Sequence, residues 1–346
     1  SARAALAGQT HDRRFGNIQE RDKLRTAFAE VTLRGTRGAH SWVGGIAVEH
    51  EAYTPVDVAP FAFSFTTPGA FVQDEFNLRP WLAISLSGRL DHHNRYGWFF
   101  SPRVSALLRS GPWSTRVSAG KGFFGPSVLT EETEAAGLTR LTLDNALEAE
   151  QGRSASLDVV YASGVVSYAV TIFGSRITSP VQVERTTYTI RNLEAPTSTA
   201  GMELLATFRR PPVALTSSYT YVRAREWAGP ITTDVALTPR HSAGWVAMVE
   251  NEDGRVGLEL YFTGRQRLES NPYRNTGRPY FIVGVLLERR VGPIRLFLNG
   301  ENLTNVRQSR WNPLLLPTRS VDGRWTVDAW APVDGRIFNG GIRIQF

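Results

Sequence analysis

The last twelve residues constrain this chain more than any other stretch. Counting back in twos from Phe346 gives Ile344, Ile342, Gly340 and Phe338, and the interleaved positions are Gln345, Arg343, Gly341 and Asn339. A period of two puts the two sets on opposite faces of a strand. One face is apolar and aromatic. The other is polar and carries an arginine, which a soluble sandwich core holds only at a cost. An apolar outside over a wet inside is the pattern of a transmembrane β-barrel. A half-buried edge strand of a soluble β protein is the competing reading of this segment alone.

The same alternation recurs upstream. Val256, Leu258, Leu260 and Phe262 alternate with Gly257, Glu259, Tyr261 and Thr263, and Ile294, Leu296 and Leu298 with Arg295, Phe297 and Asn299. Leu82, Ile84, Leu86 and Leu90 alternate with Ser85, Ser87, Arg89 and Asp91, and Met202, Leu204, Ala206 and Phe208 with Glu203, Thr207 and Arg209. The pattern predicts about fifteen antiparallel strands, near 23–34, 40–52, 69–78, 81–91, 99–110, 113–122, 150–162, 164–176, 197–209, 213–225, 238–250, 255–267, 279–290, 293–304 and 335–346. Every second connection is a tight reversal built from Gly, Pro, Asn or Asp, such as Gly111-Pro112, Arg210-Pro-Pro212 and Asn251-Glu-Asp-Gly254. The intervening ones are long: 54–68, 123–149, 177–196, 226–237, 268–278 and 305–334, with only His92–Trp98 short for its side. Long loops at one end and tight turns at the other are the membrane-barrel arrangement.

Composition agrees once the two faces are considered separately. A mean hydropathy of −0.22 looks soluble, but it averages a lipid-facing and a water-facing set. No run of about 18 apolar residues exists, which excludes a membrane-spanning helix and leaves a barrel, whose strands need only about ten residues each. The chain of 346 residues has 9 Trp, 10 Tyr, 18 Phe, 31 Gly and no Cys. The net charge of +7 comes largely from arginines scattered over strand positions and turns. That distribution suits a charged lumen or a surface facing anionic lipopolysaccharide. It lacks the basic stripe or motif of a nucleic-acid binder.

Several short segments carry a family likeness. Ala70-Phe-Val-Gln-Asp-Glu75, Ser101-Pro-Arg103, Ser118-Ala-Gly-Lys-Gly-Phe-Phe-Gly-Pro-Ser127 before Glu131 and Glu132, Asn302-Leu-Thr-Asn305 and the terminal Phe346 occur in order across residues 65–346. Together they resemble the TonB-dependent outer-membrane receptor family. Phe346, with Ile344, Ile342 and Phe338, is similar to the assembly signal that ends bacterial outer-membrane barrels. The resemblance implies an all-β, antiparallel transmembrane barrel of about 22 strands whose lumen is filled, with an N-terminal plug as the filling. It also implies uptake of a scarce ligand, such as an iron–siderophore complex or cobalamin. The implied partners are outer-membrane lipid, a small-molecule ligand that can be a metal chelate, and an inner-membrane energy-transducing TonB complex reached through the N-terminal part. Nothing here matches a plug or coupling segment, so residues 1–346 are expected to be the C-terminal portion of such a barrel. A passive porin-like channel of about 16 strands, closed with a strand from residues 1–22, is the alternative. A soluble β-rich binding or adhesion protein is a third.

Motifs for other chemistries do not hold. Gly120-Lys-Gly-Phe-Phe-Gly125 matches a dinucleotide fingerprint in spacing, but Pro126 and a polar loop follow where a helix should open. Glycines there serve a strand that bends away from the barrel rim. Asp91-His92-His93 lacks a third metal ligand, adjacent histidines point apart on a strand, and a solvated loop tip is expected. The pairs Glu131/Glu132 and Glu148/Glu150 lack the third group and pocket of an acid–base site. Neither an enzyme, a cofactor nor a bound metal is expected. Ligand contact falls instead to loop aromatics and arginines, through stacking and charge-assisted bonds. Tyr96, Trp98, Phe123, Phe124, Trp227, Tyr273, Arg274, Arg310, Trp311, Trp325 and Trp330 are the candidates, with an aromatic girdle as their competing role. Arg310, Trp311, Trp325, Trp98 and Tyr273 are selected as ligand-binding residues.

Overall fold

The computed structural model describes residues 1–130, 137–144, 147–184, 187–228, 231–319, 323 and 325–344. Its first half holds β1 (Ala2–Phe15), β2 (Ile18–Arg37), β3 (His40–Pro55), β4 (Phe63–Arg79), β5 (Leu82–His93), β6 (Gly97–Ser110), β7 (Trp113–Phe124), the two-residue β8 (Thr142–Leu143) and β9 (Glu150–Ser163). Then come β10 (Val166–Thr178), β11 (Val181–Glu184), β12 (Thr189–Asn192), β13 (Thr197–Arg210), β14 (Val213–Ala228) and β15 (Ile231–Asp234). The chain continues through β16 (His241–Asn251), β17 (Gly254–Thr263), β18 (Tyr280–Val291), β19 (Ile294–Glu301) and β20 (Ile337–Ile344). No α-helix occurs among the described residues.

One 17-stranded sheet dominates. Its long strands pair antiparallel with their neighbours in chain order, from β1 on β2 through β7 on β9 and β14 on β16 to β19 on β20. β15 is a four-residue flap on the upper end of β14. No ladder joins β1 to β20 among the described residues, so the sheet is a curved wall with two free edges. A separate three-stranded sheet of β8, β12 and β11 stands in the loops.

Register decides which residues meet lipid, because residues directly opposite in an antiparallel pair share a face. Val117 lies opposite Leu157, Leu157 opposite Ile172, and Ile172 opposite Met202. Further round, Leu258 lies opposite Val285, Leu287 opposite Leu298, and Leu296 opposite Ile342. These side chains form an apolar belt that stays about half exposed; Ile342 is 67 % exposed. A row of Trp113, Tyr161 and Tyr168 closes the belt at the tight-turn end, with ring centroids 4.9 and 6.2 Å apart. From Ser110, opposite Trp113, to the outward Phe100 is ten residues of β6. That is ~33 Å of strand, or ~25 Å of height at a tilt of roughly 40°. The belt matches the apolar thickness a barrel must present.

The other face is polar and internally bonded. Ser118 Oγ meets Ser156 Oγ at 3.0 Å, and Thr171 Oγ1 donates to Asp158 at 2.8 Å. Glu288 accepts from Arg255 at 3.0 Å and Arg295 at 2.6 Å.

Four differences from the sequence reading have physical causes. β1 over Ala2–Phe15 lies outside the fifteen expected strands and coincides with the extra strand of the porin-like alternative, although it makes no closing pair with β20. β2 starts at Ile18 instead of 23, and β4 at Phe63 instead of 69, leaving a loop of only 56–62. Both sets of residues stand above the apolar belt, where the outer face meets water and the inner face packs under the loops, so the apolar–polar alternation is lost. β16 and β20 start later, and β17 and β19 end earlier, than expected, because the adjoining residues fold into the loops. Asp91 and His93 are 3 % and 5 % exposed on the inner face instead of forming a solvated tip, since β5 runs on to His93.

Candidate functional site

All the long connections lie at one end of the sheet and build two clusters over the lumen. The first is apolar. Tyr53, Phe61, Val128, Leu138, Leu141, Leu147, Val183 and Ile190 form a buried apolar core, drawn from loops 56–62, 125–149 and 179–196 with the ends of β3 and β11–β12. Of two buried acids on β2, the first ties it to the wall and the second bonds within the wall, to β1. Glu20 of β2 accepts from Leu138 N and Thr139 N, both at 2.8 Å, and from the Thr139 hydroxyl. Asp22 accepts from His11 Nδ1 at 2.7 Å and from Arg13. Glu20 reaches residues between β7 and β9, several strands away, which only a curved sheet permits. Gly137 serves the approach. Its φ of +85° is a left-handed region that favours glycine, and a Cβ there would lie 2.7 Å from Glu20 Oε1.

An inward aromatic ladder continues from this core. Tyr53 stacks on Phe63 at 5.6 Å, Phe63 on Phe65 at 4.5 Å, and Phe65 meets His93 at 4.8 Å. Tyr96 lies 4.8 Å from His93 and donates its hydroxyl to Pro126 O at 2.7 Å. Burial pushes the Tyr96 phenol up from its ordinary range. A cavity of about 140 Å³ remains between Phe61, Phe63, Phe65, Tyr96, Val128 and Leu147. Gly125 passes so close that a Cβ would come within 2.9 Å of His93 Nε2. This gives the Gly120–Gly125 run its role: it brings backbone against rings. At the rim Arg21 donates to Asp57 through its backbone N, Nε and Nη2 at 2.7, 3.1 and 2.8 Å, which holds the Asp57 carboxyl below its usual range.

The second cluster is polar and joins loops 264–279 and 302–336. Gln308 is fully buried. Its Nε2 donates to Asp328 O at 2.5 Å, and its Oε1 accepts from Trp330 N at 2.7 Å and Ala331 N at 3.2 Å. Gln266 Nε2 donates to Trp330 O at 2.6 Å, and Asn271 Nδ2 to Asp328 Oδ2 at 2.6 Å. Asn302 and Asn305 take left-handed φ values of 48° and 56°, which asparagine tolerates. Asn302 also donates to Val306 O and Asp334 O at 2.8 and 3.0 Å. The Asn302-Leu-Thr-Asn305 motif thus turns the chain off β19 and clamps both ends of the loop.

The selected residues divide between these regions. Trp311 stacks on Trp330 with centroids 5.5 Å apart at 16°, and Arg274 lies over Trp330 at 5.3 Å. Arg310 is exposed beside Trp311 on a 3₁₀ turn. Tyr273 donates its hydroxyl to Leu315 O at 3.1 Å, and Trp325 lies under Arg319 at 4.9 Å on the exposed part of the same loop. Trp98 is elsewhere. It is 68 % exposed on the outer face, opposite His92, beside an apolar hollow of about 550 Å³ lined by Ile46, Ala70 and Leu90, and so borders lipid. Phe338, Ile342 and Ile344 are exposed on the outer face of β20, while Phe346, Glu131 and Glu132 fall outside the described residues.

Sequence reasoning missed Gln308, Gln266, Asn271, Glu20 and Asp22, whose roles rest on distant partners that leave no local pattern. It also undervalued Trp330. Trp330 Nε1, Arg274 Nε and Arg307 Nε are buried donors without an acceptor among the described residues. Below them the inner wall opens into a cleft of about 530 Å³ lined by Glu259, Tyr261, Asn299, Glu301 and Asp334. No group of three or more acidic, histidine or cysteine side chains suited to a metal ion occurs among the described residues.

Comparison with known proteins places this architecture. The family described as "TonB dependent receptor-like, beta-barrel" matches residues 5–303. An iron-regulated outer membrane virulence protein of Vibrio cholerae is 26% identical over 226 residues, which is 57% of this chain and 34% of that protein. The FrpB iron transporter from Neisseria meningitidis superposes with a TM-score of 0.75 at 12% identity, covering 100% of this chain and 60% of that one. A mutant ferric enterobactin receptor from Pseudomonas aeruginosa gives 0.71 at 14% identity, covering 95% and 54%. The chain therefore spans about a third of the curated relative and rather more than half of the solved receptors. A match over most of the chain, an apolar belt of membrane thickness and loops gathered at one end lead to one conclusion: the chain belongs to the TonB-dependent receptor β-barrel family and resides in the bacterial outer membrane.

Proposed function

We propose that this chain supplies the barrel wall and mouth of a receptor for energy-coupled uptake of an iron–siderophore complex. The observation that carries the reading is the group of buried donors without acceptors among the described residues of the second loop cluster, Trp330 Nε1 and the Nε atoms of Arg274 and Arg307. A buried donor left unpaired is costly, and an anionic, aromatic-rich chelate offers both acceptors and ring faces. Arg310, Trp311, Tyr273 and Trp325 line the same loops and complete the ligand surface. Trp98 belongs to the girdle. The names of similar proteins, an iron transporter and a ferric enterobactin receptor, support iron over cobalamin as cargo.

The free edges of β1 and β20 are joined in this reading by further strands of the same polypeptide, and a plug domain fills the lumen and reaches the TonB complex. A self-closing porin-like barrel would need β1 to pair with β20. Uptake of radiolabelled ferric catecholate, ferric hydroxamate and cobalamin by iron-starved cells tests the proposal. Deleting the gene should abolish uptake of one ferric chelate. In the intact receptor, Trp330→Phe should weaken binding of that chelate about tenfold, the worth of one buried hydrogen bond. Loss of cobalamin uptake alone would refute the iron reading.

A further inference from the structure

At the upper edge of the apolar belt, three cations stand side by side on the outer face. Lys121 of β7 lies directly opposite Arg153 of β9, and Arg153 directly opposite Arg176 of β10. All three are exposed. Their register puts them on the face of Val117, Leu157 and Ile172, separated from that layer only by Ala119, Ala155 and Gly174. Like charges directly opposite in an antiparallel pair repel. None of the three side chains has an ion pair or hydrogen bond among the described residues. The acids nearest in sequence are turned elsewhere, Glu148 accepting from Ser179 Oγ at 3.0 Å and Glu150 from Val181 N at 2.5 Å.

Height identifies the missing counter-charge. Each cation is eight residues along its strand from the aromatic row of Trp113, Tyr161 and Tyr168. Eight residues give ~26 Å of strand and ~20 Å of height at a roughly 40° tilt, against an apolar band of ~25 Å. The row therefore stands at the opposite interface, where long basic side chains extend to reach headgroups. The underlying Ala119, Ala155 and Gly174 leave room for their stems.

We infer that Lys121, Arg153 and Arg176 form a binding row for the phosphorylated headgroup of an outer-leaflet glycolipid, whose acyl chains lie on the belt below. Guanidinium groups grip phosphate oxygens in pairs, and the ammonium adds a point charge. Continuity with the belt selects a lipid over a free anion, since one molecule then satisfies both surfaces.

The receptor carrying this chain, purified from outer membranes in mild detergent, provides the test. Native mass spectrometry should show a retained phosphorylated glycolipid, and Lys121→Gln/Arg153→Gln/Arg176→Gln should retain roughly tenfold less with unchanged heat-modifiable mobility. Stripped parent protein should rebind diphosphoryl lipid A but not its dephosphorylated form, and millimolar inorganic phosphate should not displace it. If the triple variant fails to insert, Arg153→Gln should lower retention and Arg153→Lys largely restore it. Equal retention by parent and variants, binding indifferent to the lipid's phosphates, or ready displacement by inorganic phosphate would overturn the assignment.

Discussion

At the scale of the residue, the loops over the lumen depend on a few buried polar side chains. Gln308 is the clearest, because its amide satisfies Asp328 O, Trp330 N and Ala331 N together. Gln308→Ala leaves those three backbone groups without partners, a local loss of about 3 kcal/mol. Hydrogen exchange at Trp330 and Ala331 should accelerate roughly a hundredfold while the belt strands stay protected. Unchanged exchange would mean that the loop is held by other contacts. Asp57 supplies a pH dependence. Its folded pKa is depressed by the Arg21 hydrogen bonds, so its contribution is present above the ordinary carboxylate value and is lost as pH falls through the depressed one. The loop at 56–62 should become more accessible to an acid-stable protease below about pH 4, and Asp57→Asn should show that accessibility already at neutral pH. A parent protein with no acid transition there would contradict this.

At the scale of the element, strands were legible where their two faces meet different solvents. Val256, Leu258, Leu260 and Phe262 read as a lipid face because Gly257, Glu259 and Tyr261 stand in water, and β17 was found. Gly8 to Arg14 of β1 and Gln19 to Arg25 of β2 rise above the lipid, with a polar outer face and an inner face that buries acids such as Glu20 and Asp22, so nothing in their order distinguishes strand from loop. β8, β11 and β12 are too short for any period to show. The site was partly legible for a related reason. Trp311, Tyr273 and Arg274 announce themselves by residue type, whereas Gln308 and Glu20 act through partners 20 and 118 positions away. On β20, Ile342→Arg puts a charge on the belt at a cost of roughly 2–4 kcal/mol near mid-membrane. The variant should give less heat-modifiable folded receptor, and the inward Asn339→Arg should not; equal yields would place Ile342 off the lipid. The loops also fix topology. With no native cysteine, Ser309→Cys should label in intact cells and Glu252→Cys only after lysis. The reverse pattern would invert the orientation.

At the scale of the whole molecule, the sheet has two boundaries left unpaired among the described residues, the outer edges of β1 and β20. Within an apolar layer each unpaired backbone group costs several kcal/mol. Residues 1–346 expressed alone and refolded in detergent should therefore aggregate or associate through these edges. The full receptor should run as a folded, heat-modifiable monomer. A stable, ion-conducting monomer from the isolated chain would instead support closure of β1 on β20 and a passive channel.

The height of β2 has a last consequence. Its residues 18–25 rise above the outward alanines at 27 and 29, adding ~26 Å of strand, or ~20 Å of vertical reach. In physiological salt, fields from fixed charges decay over ~8 Å. Glu20, seven residues above Ala27, thus stands about two screening lengths above those alanines, and Asp22 somewhat less. Under the proposed function, an anionic chelate arriving at Glu20 escapes most of the repulsion of the lipid phosphates and responds mainly to the charges of the rim.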